Sequence, residues 1–345
     1  MMTYRDMLKH GETALQEAGV VDYKLDAWYL FEAATGLSKQ LYFMEMTTEA
    51  TERIEAKYNK LLKRRTNREP LQYILGSQVF MGLDFEVNEH VLIPRQDTEN
   101  LVEEVNKIIH KMKVDRCIDS DSSANTDSEN DSNIDRNQKA ERASEGDADA
   151  NDADKNQDID ILDMCTGSGC IIISLVAMNE DVYGTAVDLS REAISVARRN
   201  VMNNSVTDRV EFYVGDLFDG ITEHKEQKVV RAGLSCTKYG PARQTFDIIV
   251  SNPPYIPTAE IAKLMPEVGD FEPMMALDGD EDGLRFYRQI AADAPDFLKD
   301  GGYLIVEIGF DQGQDVRDIF LENNFADVRV IKDYQDNDRI VVGHL

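Results

Sequence analysis

The sequence predicts an α/β protein: a mostly parallel sheet with helices on both faces, closed by an antiparallel hairpin and preceded by a small helical domain. Three observations lead to this fold class. After residue 158, apolar strand patterns alternate with helical patterns, which is typical of a parallel sheet. The last two strand patterns, 326–331 and 339–342, have no helix between them, and the first 75 residues show mostly helical spacing.

Residues 1–75 form the predicted N-terminal domain. Apolar side chains recur at roughly helical spacing from Tyr4 to Leu15, and Gly19 follows as a stop signal. Asp22 and Gly36 are the predicted cap and stop of a second helix. A third helix is predicted over about 48–65. The pattern alone leaves two roles open for this domain, a packing appendage or a module that recognises a substrate.

Residues 76–96 are predicted to form a hairpin linker. Strand-like pairs surround Phe80 and Phe85, a further apolar run covers 91–93, and Pro94 ends it. Asp97 or Thr98 is then the predicted cap of a helix. That helix opens a C-terminal domain spanning 97–345.

The tract 115–158 differs from the rest of the chain. It consists largely of Asp, Asn, Ser, Ala and Glu, contains no aromatic residue and has almost nothing apolar. Such a segment cannot bury enough surface to offset the entropy of ordering it, so we expect a disordered acidic insert. The alternative is an acidic tail that binds a partner. A second polar stretch, 221–244, is predicted to be a surface loop.

Composition narrows the class of protein. The 345 residues carry a formal charge of −28 and are 42% hydrophobic, so the chain can build a core and its field repels nucleic acid. The four cysteines form no Cys-x-x-Cys pair, which argues against a zinc site or disulfide framework and fits a reducing cytoplasm. The longest apolar run, 171–178, is too short to span a membrane. We therefore expect a cytoplasmic protein without a bound metal.

The C-terminal domain contains seven strand patterns and several helical ones. The strands are predicted over 159–164, 182–187, 210–214, 246–250, 303–308, 326–331 and 339–342, and the intervening helices over 170–178, 191–204, 283–298 and 312–321.

A glycine turn follows the first of these strands, at Cys165-Thr166-Gly167-Ser168-Gly169. Glycine is required where a backbone turns sharply and approaches a ligand. A dinucleotide site would continue to a third glycine, but Ile172 stands there. The turn therefore suits a ligand without a pyrophosphate group, or is an ordinary tight turn.

Two acids follow the next strands. Asp188 lies about 20 residues past the glycines, where an acid can accept both hydroxyls of a ribose; the alternative is a helix cap. Asp216 could accept from the amino group of an adenine, with Leu217 or Phe218 against the face of the base. A surface turn explains Asp216 equally well.

The most specific motif is Asn252-Pro253-Pro254-Tyr255, after the fourth strand. Two prolines cannot continue a sheet ladder, and they fix the backbone. If the Asn252 side-chain oxygen and the Pro253 carbonyl accept the two hydrogens of a planar NH2 group, its nitrogen faces an electrophilic carbon. Tyr255 can stack on that flat group. Such a site works by positioning and electrostatics and needs no strong base.

Together these motifs resemble a class I methyltransferase. Pro-Leu-Gln-Tyr-Ile-Leu-Gly at 70–76, Phe80 and Leu-Ile-Pro-Arg-Gln-Asp-Thr-Glu at 92–99 narrow the resemblance. The chain is similar to the release factor glutamine methyltransferase family (PrmC/HemK) over nearly its whole length, apart from 115–158 and 221–244.

The resemblance implies a seven-stranded class I methyltransferase sheet, a helical substrate-recognition domain and S-adenosylmethionine as cofactor. It implies methylation of the glutamine in the Gly-Gly-Gln motif of peptide-chain release factors by a monomer. The residues expected to contact the cofactor are Cys165, Thr166, Gly167, Ser168, Gly169, Asp188, Asp216, Leu217 and Asn252. The residues expected to hold the glutamine are Asn252, Pro253, Pro254, Tyr255, Phe80 and Arg95.

The sequence departs from the family pattern at two positions. Cys165 stands where glycine is usual, so its backbone is expected to avoid a glycine-only conformation, and Gln96 stands where proline is common. Methyltransferases that act on exocyclic amino groups of nucleic-acid bases can position that planar NH2 group with the same Asn-Pro-Pro-Tyr arrangement. Those enzymes need a basic channel, which this acidic chain does not favour. A binding module without activity is disfavoured because both motifs are intact.

Overall fold

The computed structural model describes residues 2–124, 158–222 and 245–345. Its N-terminal part is a bundle of five helices around a core that includes Phe31 and Tyr58, whose rings meet edge to face. The helices are α1 Tyr4–Glu17, α2 Tyr23–Thr35, α3 Lys39–Glu45, α4 Glu52–Thr66 and α5 Leu71–Leu75. The prediction of three helices missed α3 and α5, which are too short to show a clear period. It also began α4 too early, because Thr51 is its N-cap.

The linker holds one short antiparallel hairpin, β1 Ser77–Phe80 and β2 Leu83–Glu86. The apolar run 91–93 is not a strand, contrary to expectation. Val91 and Ile93 instead fill a small apolar cluster with Val87, Ala193 and Val196. Asn200 fastens the hairpin to the sheet domain, since its side chain bonds both the N–H and the carbonyl of Glu86 and also the carbonyl of Ser168.

Helix α6 spans Gln96–Ala124. It begins before both predicted caps, so Asp97 and Thr98 lie in its first turn. It also continues through residue 124, so the predicted disordered insert starts too early: 115–124 are helical. Arg116 pairs with Asp247 and donates to the carbonyl of Asp158 at 3.0 Å, which gives this part of the helix tertiary contacts. Residues 125–157 of the insert lie outside the described residues.

The central sheet has seven strands in the order β5-β4-β3-β6-β7-β9-β8. The first five are parallel, and β9 pairs antiparallel with β7 and β8. The predicted class I methyltransferase fold with a closing hairpin is confirmed. The strands are β3 Ile159–Met164, β4 Val182–Asp188, β5 Val210–Val214, β6 Phe246–Ser251, β7 Leu298–Glu307, β8 Ala326–Lys332 and β9 Asp338–His344.

Helices cover both faces of this sheet and enclose two apolar clusters. They are α7 Cys170–Met178, α8 Arg191–Asn203, α9 Asp219–Thr222, α10 Thr258–Ile261, α11 Pro266–Gly269, α12 Arg285–Asp293 and α13 Gly313–Glu322. Helix α12 ends earlier than predicted because Pro295 follows in a 3-10 turn. The predicted loop 221–244 starts inside α9, and 223–244 lie outside the described residues. None of the helices described is long and apolar enough to cross a membrane.

Candidate active site

A cavity of about 500 Å³ lies at the carboxyl ends of β3, β4, β5 and β6. This is where ligands bind in open α/β sheets, because the winding of the chain reverses between β3 and β6. The linker and the 3-10 turn Met274–Ala276 close its other side. The sequence-predicted residues that line it are Arg95, Cys165, Thr166, Gly167, Ser168, Asp188, Asp216, Leu217, Asn252 and Pro254.

The glycine turn has the left-handed geometry that its composition predicts. Gly167 and Gly169 have φ of 55° and 80°. A Cβ on Gly169 would lie 2.8 Å from Ile173 Cδ1 and 3.2 Å from Ala197 Cβ, so Gly169 allows α7 to pack closely on α8. Cys165 has φ of 57°, in the region that favours glycine. The expectation that its backbone avoids such a conformation is wrong.

Asp188, the last residue of β4, accepts from two backbone N–H groups. One oxygen accepts from Gly167 at 2.8 Å and the other from Ser190 at 2.8 Å. Ser190, not Asp188, caps α8. Burial raises the pKa of Asp188, and the two N–H bonds lower it. Each carboxylate oxygen keeps a further lone pair, so the side chain can accept from a ligand in the cavity.

Asp163 lies beneath the glycine turn and is fully buried. Burial raises its pKa to about 7, although Thr166 and the Ile172 backbone bond to it. Thr166 donates to one carboxylate oxygen at 2.6 Å, while the other oxygen has no partner among the described residues. Asp163 was not among the predicted site residues, yet an acid at the end of an apolar strand was a visible signal.

The turn after β5 adds an acid and an apolar wall. Asp216 is exposed, and its carbonyl accepts from Asp219 within the turn. Leu217 is buried with φ of 44°. Both line the cavity, so an acceptor and an apolar surface are adjacent there.

The Asn-Pro-Pro-Tyr motif lies directly after β6. Asn252 is half-buried, and its Nδ2 donates to Thr98 Oγ1 at 3.3 Å. Pro253 is buried, and Tyr255 packs against the apolar cluster that contains Tyr287. The Tyr255 carbonyl accepts from Gln312 Nε2 at 3.0 Å. The motif is thus held by α6 on one side and by the start of α13 on the other.

Two glycines allow the chain to pack against this motif. A Cβ on Gly283 would lie 2.4 Å from the Tyr255 carbonyl oxygen, and one on Gly279 would lie 2.8 Å from Tyr255 Cα. The segment between β6 and α12 therefore closes on the backbone of the motif.

Arg95 and Phe80, the two linker residues predicted to contact the glutamine, differ in their position relative to the cavity. Arg95 lines the cavity and pairs with Glu272, whose carboxylate is buried. Phe80 does not line it: its ring is buried in the core, edge to face with Phe85. The position of Phe80 therefore gives no support to the prediction that it binds substrate, because the pleat of this short hairpin turns the side chain inward.

Sequence reasoning missed other residues at the site. Thr98 was considered only as a helix cap, and Glu307 only as part of a strand. Met274 and Met275 line the cavity on a 3-10 turn with no periodic pattern. Of these residues, Glu307 carried a signal in the sequence, because it is a charged residue at the end of an apolar strand.

Comparison with known proteins agrees with this geometry. Residues 6–76 match the family model of the PrmC N-terminal domain, and 155–329 match a methyltransferase domain. The release factor glutamine methyltransferase of Geobacter sulfurreducens is 34% identical over 343 residues, covering 99% of this chain and 97% of that protein. That of Agrobacterium fabrum is 34% identical over 95% of this chain and 92% of its own.

The chain belongs to the release factor glutamine methyltransferase family. A solved release factor-specific protein-(glutamine-N5) methyltransferase from Alicyclobacillus acidocaldarius is 25% identical and superimposes with a TM-score of 0.36, over 75% of this chain and 98% of that one. As a member of the family, this protein is an S-adenosylmethionine-dependent methyltransferase.

The cavity fits that cofactor. The sulfonium and amino groups of S-adenosylmethionine are cationic, and three acids, Asp163, Asp188 and Asp216, lie in or beneath the cavity. One oxygen of Asp163 is buried without a partner among the described residues. The ideal Cβ position of Gly167 meets no atom within 4 Å, so the loop leaves open space beside these acids. When bound, the cofactor supplies the electrophilic methyl group.

Proposed function

We propose that this protein methylates the side-chain amide nitrogen of the glutamine in the Gly-Gly-Gln motif of peptide-chain release factors. The observation that carries the proposal is the position of Asn252. It lines the same cavity as Asp188 and the glycine turn, and its Nδ2 is engaged by Thr98. The side-chain oxygen of Asn252 can therefore accept from an amide that enters the cavity.

An amide nitrogen is a poor nucleophile because its lone pair is delocalised, so the chain must position it. In the proposal, Asn252 Oδ1 and the Pro253 carbonyl accept the two N–H bonds of the glutamine. Preorganised acceptors of this kind cost no rearrangement when charge develops on the nitrogen. Stacking of Tyr255 on the amide and contact with Arg95 remain predictions.

Cofactor contacts are proposed from the same geometry. Asp188 accepts from the ribose hydroxyls, Asp216 from the adenine amino group, and Leu217 packs on the base. The turn of Cys165, Thr166, Gly167, Ser168 and Gly169 brings its backbone close to the remainder of the cofactor. The left-handed φ values of this turn and the lining of the cavity support these assignments.

Recognition of the release factor is proposed for the N-terminal helices, residues 1–75. Helix α3 exposes Phe43 and Met44, whose relative accessibilities are 68% and 80%. Exposed apolar side chains that lie together favour a protein partner.

A Phe43→Ser and Met44→Ser double variant should lose methylation of the release factor but keep that of a short Gly-Gly-Gln peptide. Met202→Ser, at a position on α8 with a relative accessibility of 60%, is the control; equal losses on both substrates would contradict this role.

Incubation with labelled cofactor, followed by mass spectrometry of the release factor, tests the proposed reaction. One methyl group on the glutamine is expected. The competing function is methylation of a nucleic-acid base, and strong labelling of DNA or RNA with none of the release factor would establish it. The charge of −28 favours the protein substrate. We further propose that the enzyme acts in the cytoplasm as a monomer.

A further inference from the structure

Glu307 is a buried acid that the proposed reaction does not use directly. It is the last residue of β7, with 1% of its surface exposed. Ser251 and Val306 are partners across β6 and β7, so Glu307 and Asn252 are the next residues along adjacent parallel strands. One oxygen of Glu307 has no hydrogen-bond partner among the described residues.

Thr98 connects Glu307 to the acceptor site. Its side chain is 2% exposed, and its hydroxyl accepts from Asn252 Nδ2 at 3.3 Å. Burial raises the pKa of Glu307 to about 7, although a hydrogen bond from Thr98, the charge of Arg339 and a hydrogen bond from Asn252 each lower it. A hydroxyl has one hydrogen to donate and lone pairs with which to accept. If Thr98 donates to Glu307, it must accept from Asn252.

This direction matters because the Asn252 amide can present either its oxygen or its NH2 group to the cavity. The two orientations have nearly the same shape, and only the one with Oδ1 toward the cavity can accept from a glutamine NH2. An ionised carboxylate accepts but never donates. An ionised Glu307 therefore fixes the Thr98 hydroxyl, and Thr98 in turn fixes the amide.

We propose that Glu307 is a positioning residue that, through Thr98 and by accepting directly from Asn252, holds the Asn252 side-chain oxygen toward the glutamine nitrogen. This inference rests on the proposed function.

Glu307→Gln tests it, because glutamine has the same shape but can donate to Thr98 and so permits the opposite orientation of Asn252. Thr98→Val removes the connecting hydroxyl, and Thr98→Ser restores it. Glu104→Gln, a buried acid on the same helix that pairs with Lys107 and Arg329, is the matched control.

With the full chain, a release factor and S-adenosylmethionine, Glu307→Gln and Thr98→Val should each lower kcat at least about tenfold. KM and the Kd of the cofactor should stay within about threefold. Thr98→Ser and Glu104→Gln should keep near-normal kcat. The melting temperature of Glu307→Gln at pH 8 should not fall, because a buried charge has been removed.

The pH profile separates positioning from simple support of the fold. Wild-type kcat should fall as the pH is lowered through about 7, where Glu307 takes up a proton and becomes a donor. Glu307→Gln should lack this step. The charged or titratable groups that interact with Glu307 are Arg339, Asp97, Tyr255, Tyr287 and Cys170. Of these, burial raises the pKa of Tyr255, Tyr287 and Cys170, so those three are neutral near pH 7.

Normal kcat and an unchanged pH profile in Glu307→Gln would overturn the inference while leaving the proposed function intact. Parallel losses of kcat and melting temperature, with Thr98→Ser as impaired as Thr98→Val, would also overturn it. A wild-type protein inactive on release factors would overturn both proposals.

Discussion

The two ends of the central sheet each bury a pair of carboxylates, but only the pair at the amino ends forms ion pairs with described residues. At the amino ends, Asp160 and Asp247 share Lys299, at 3.1 and 2.7 Å, and Asp247 also pairs with Arg116. At the carboxyl ends, Asp163 and Glu307 form no ion pair with a described residue, and burial raises the pKa of each to about 7.

This difference distinguishes carboxylates that stabilise the fold from carboxylates that are available to a ligand or a reaction. A buried charge with a partner holds its elements together, while a buried charge without one costs free energy. Such costs persist at sites that a ligand or a reaction uses. The amino ends are therefore expected to govern stability, and the carboxyl ends activity.

The largest effect is expected at the amino ends. Asp247→Ala should lower the free energy of unfolding by about 3–5 kcal/mol, because it leaves the Asp160 N–H without the oxygen it bonds at 2.7 Å and removes the partner of Arg116. Urea unfolding measures this, with exposed Asp300→Ala as control. Activity per folded molecule should be kept; a selective loss of kcat would break the comparison.

Asn252→Ala, at the carboxyl ends, should have the opposite signature. Loss of a preorganised acceptor costs about 2.7–4 kcal/mol of barrier, on the order of 10²–10³ in kcat, while a half-buried side chain contributes little to the fold. Turnover of a release factor and the melting temperature should be compared with those of Asn323→Ala, at the C-cap of α13. Near-normal turnover would refute the role of Asn252.

Asp163→Asn should stabilise the protein without cofactor, by about 1–3 kcal/mol at pH 8. The native pKa of Asp163, about 7, is above the usual 3.8, so the native state binds the proton more tightly than the unfolded state. Wild-type stability is thus regained as the pH falls from 7 toward 4, and the advantage of the variant should shrink over that window. Unfolding at pH 5.5 and pH 8 checks this; a constant difference would mean that Asp163 is not charged at pH 8.

The smallest effect is expected for the acidic insert. Arg116 ties α6 to Asp158, near the amino ends of the sheet and away from the cavity. Helix α6 continues for eight residues beyond Arg116, about 12 Å. Replacing 125–157 by a flexible linker of about six residues should therefore leave kcat and melting temperature nearly unchanged. A large loss of either would show that the insert packs or binds a partner.

Prediction from the sequence succeeded where an apolar segment was clearly bounded. The bounds of β3, α7 and β5 agree with the structure to the residue, because each is a distinct apolar segment bounded by polar or glycine-containing turns. It failed for α3, α10 and α11, which are too short for a period to show. It also did not anticipate the burial of Phe80, because an aromatic residue in a linker does not reveal which face of its hairpin is buried.

The sequence alone determined the order of strands and helices, the glycine turn and the Asn-Pro-Pro-Tyr motif, because each is a run of consecutive residues. Only the tertiary structure decided that Thr98, Asn252 and Glu307 meet. They come from α6, the end of β6 and the end of β7, more than 50 positions apart in the chain. Parallel pairing brings the ends of β6 and β7 to one edge of the sheet. Burial at that edge raises the pKa of the Glu307 carboxyl to about 7. Neither register nor desolvation can be read from the spacing of residues.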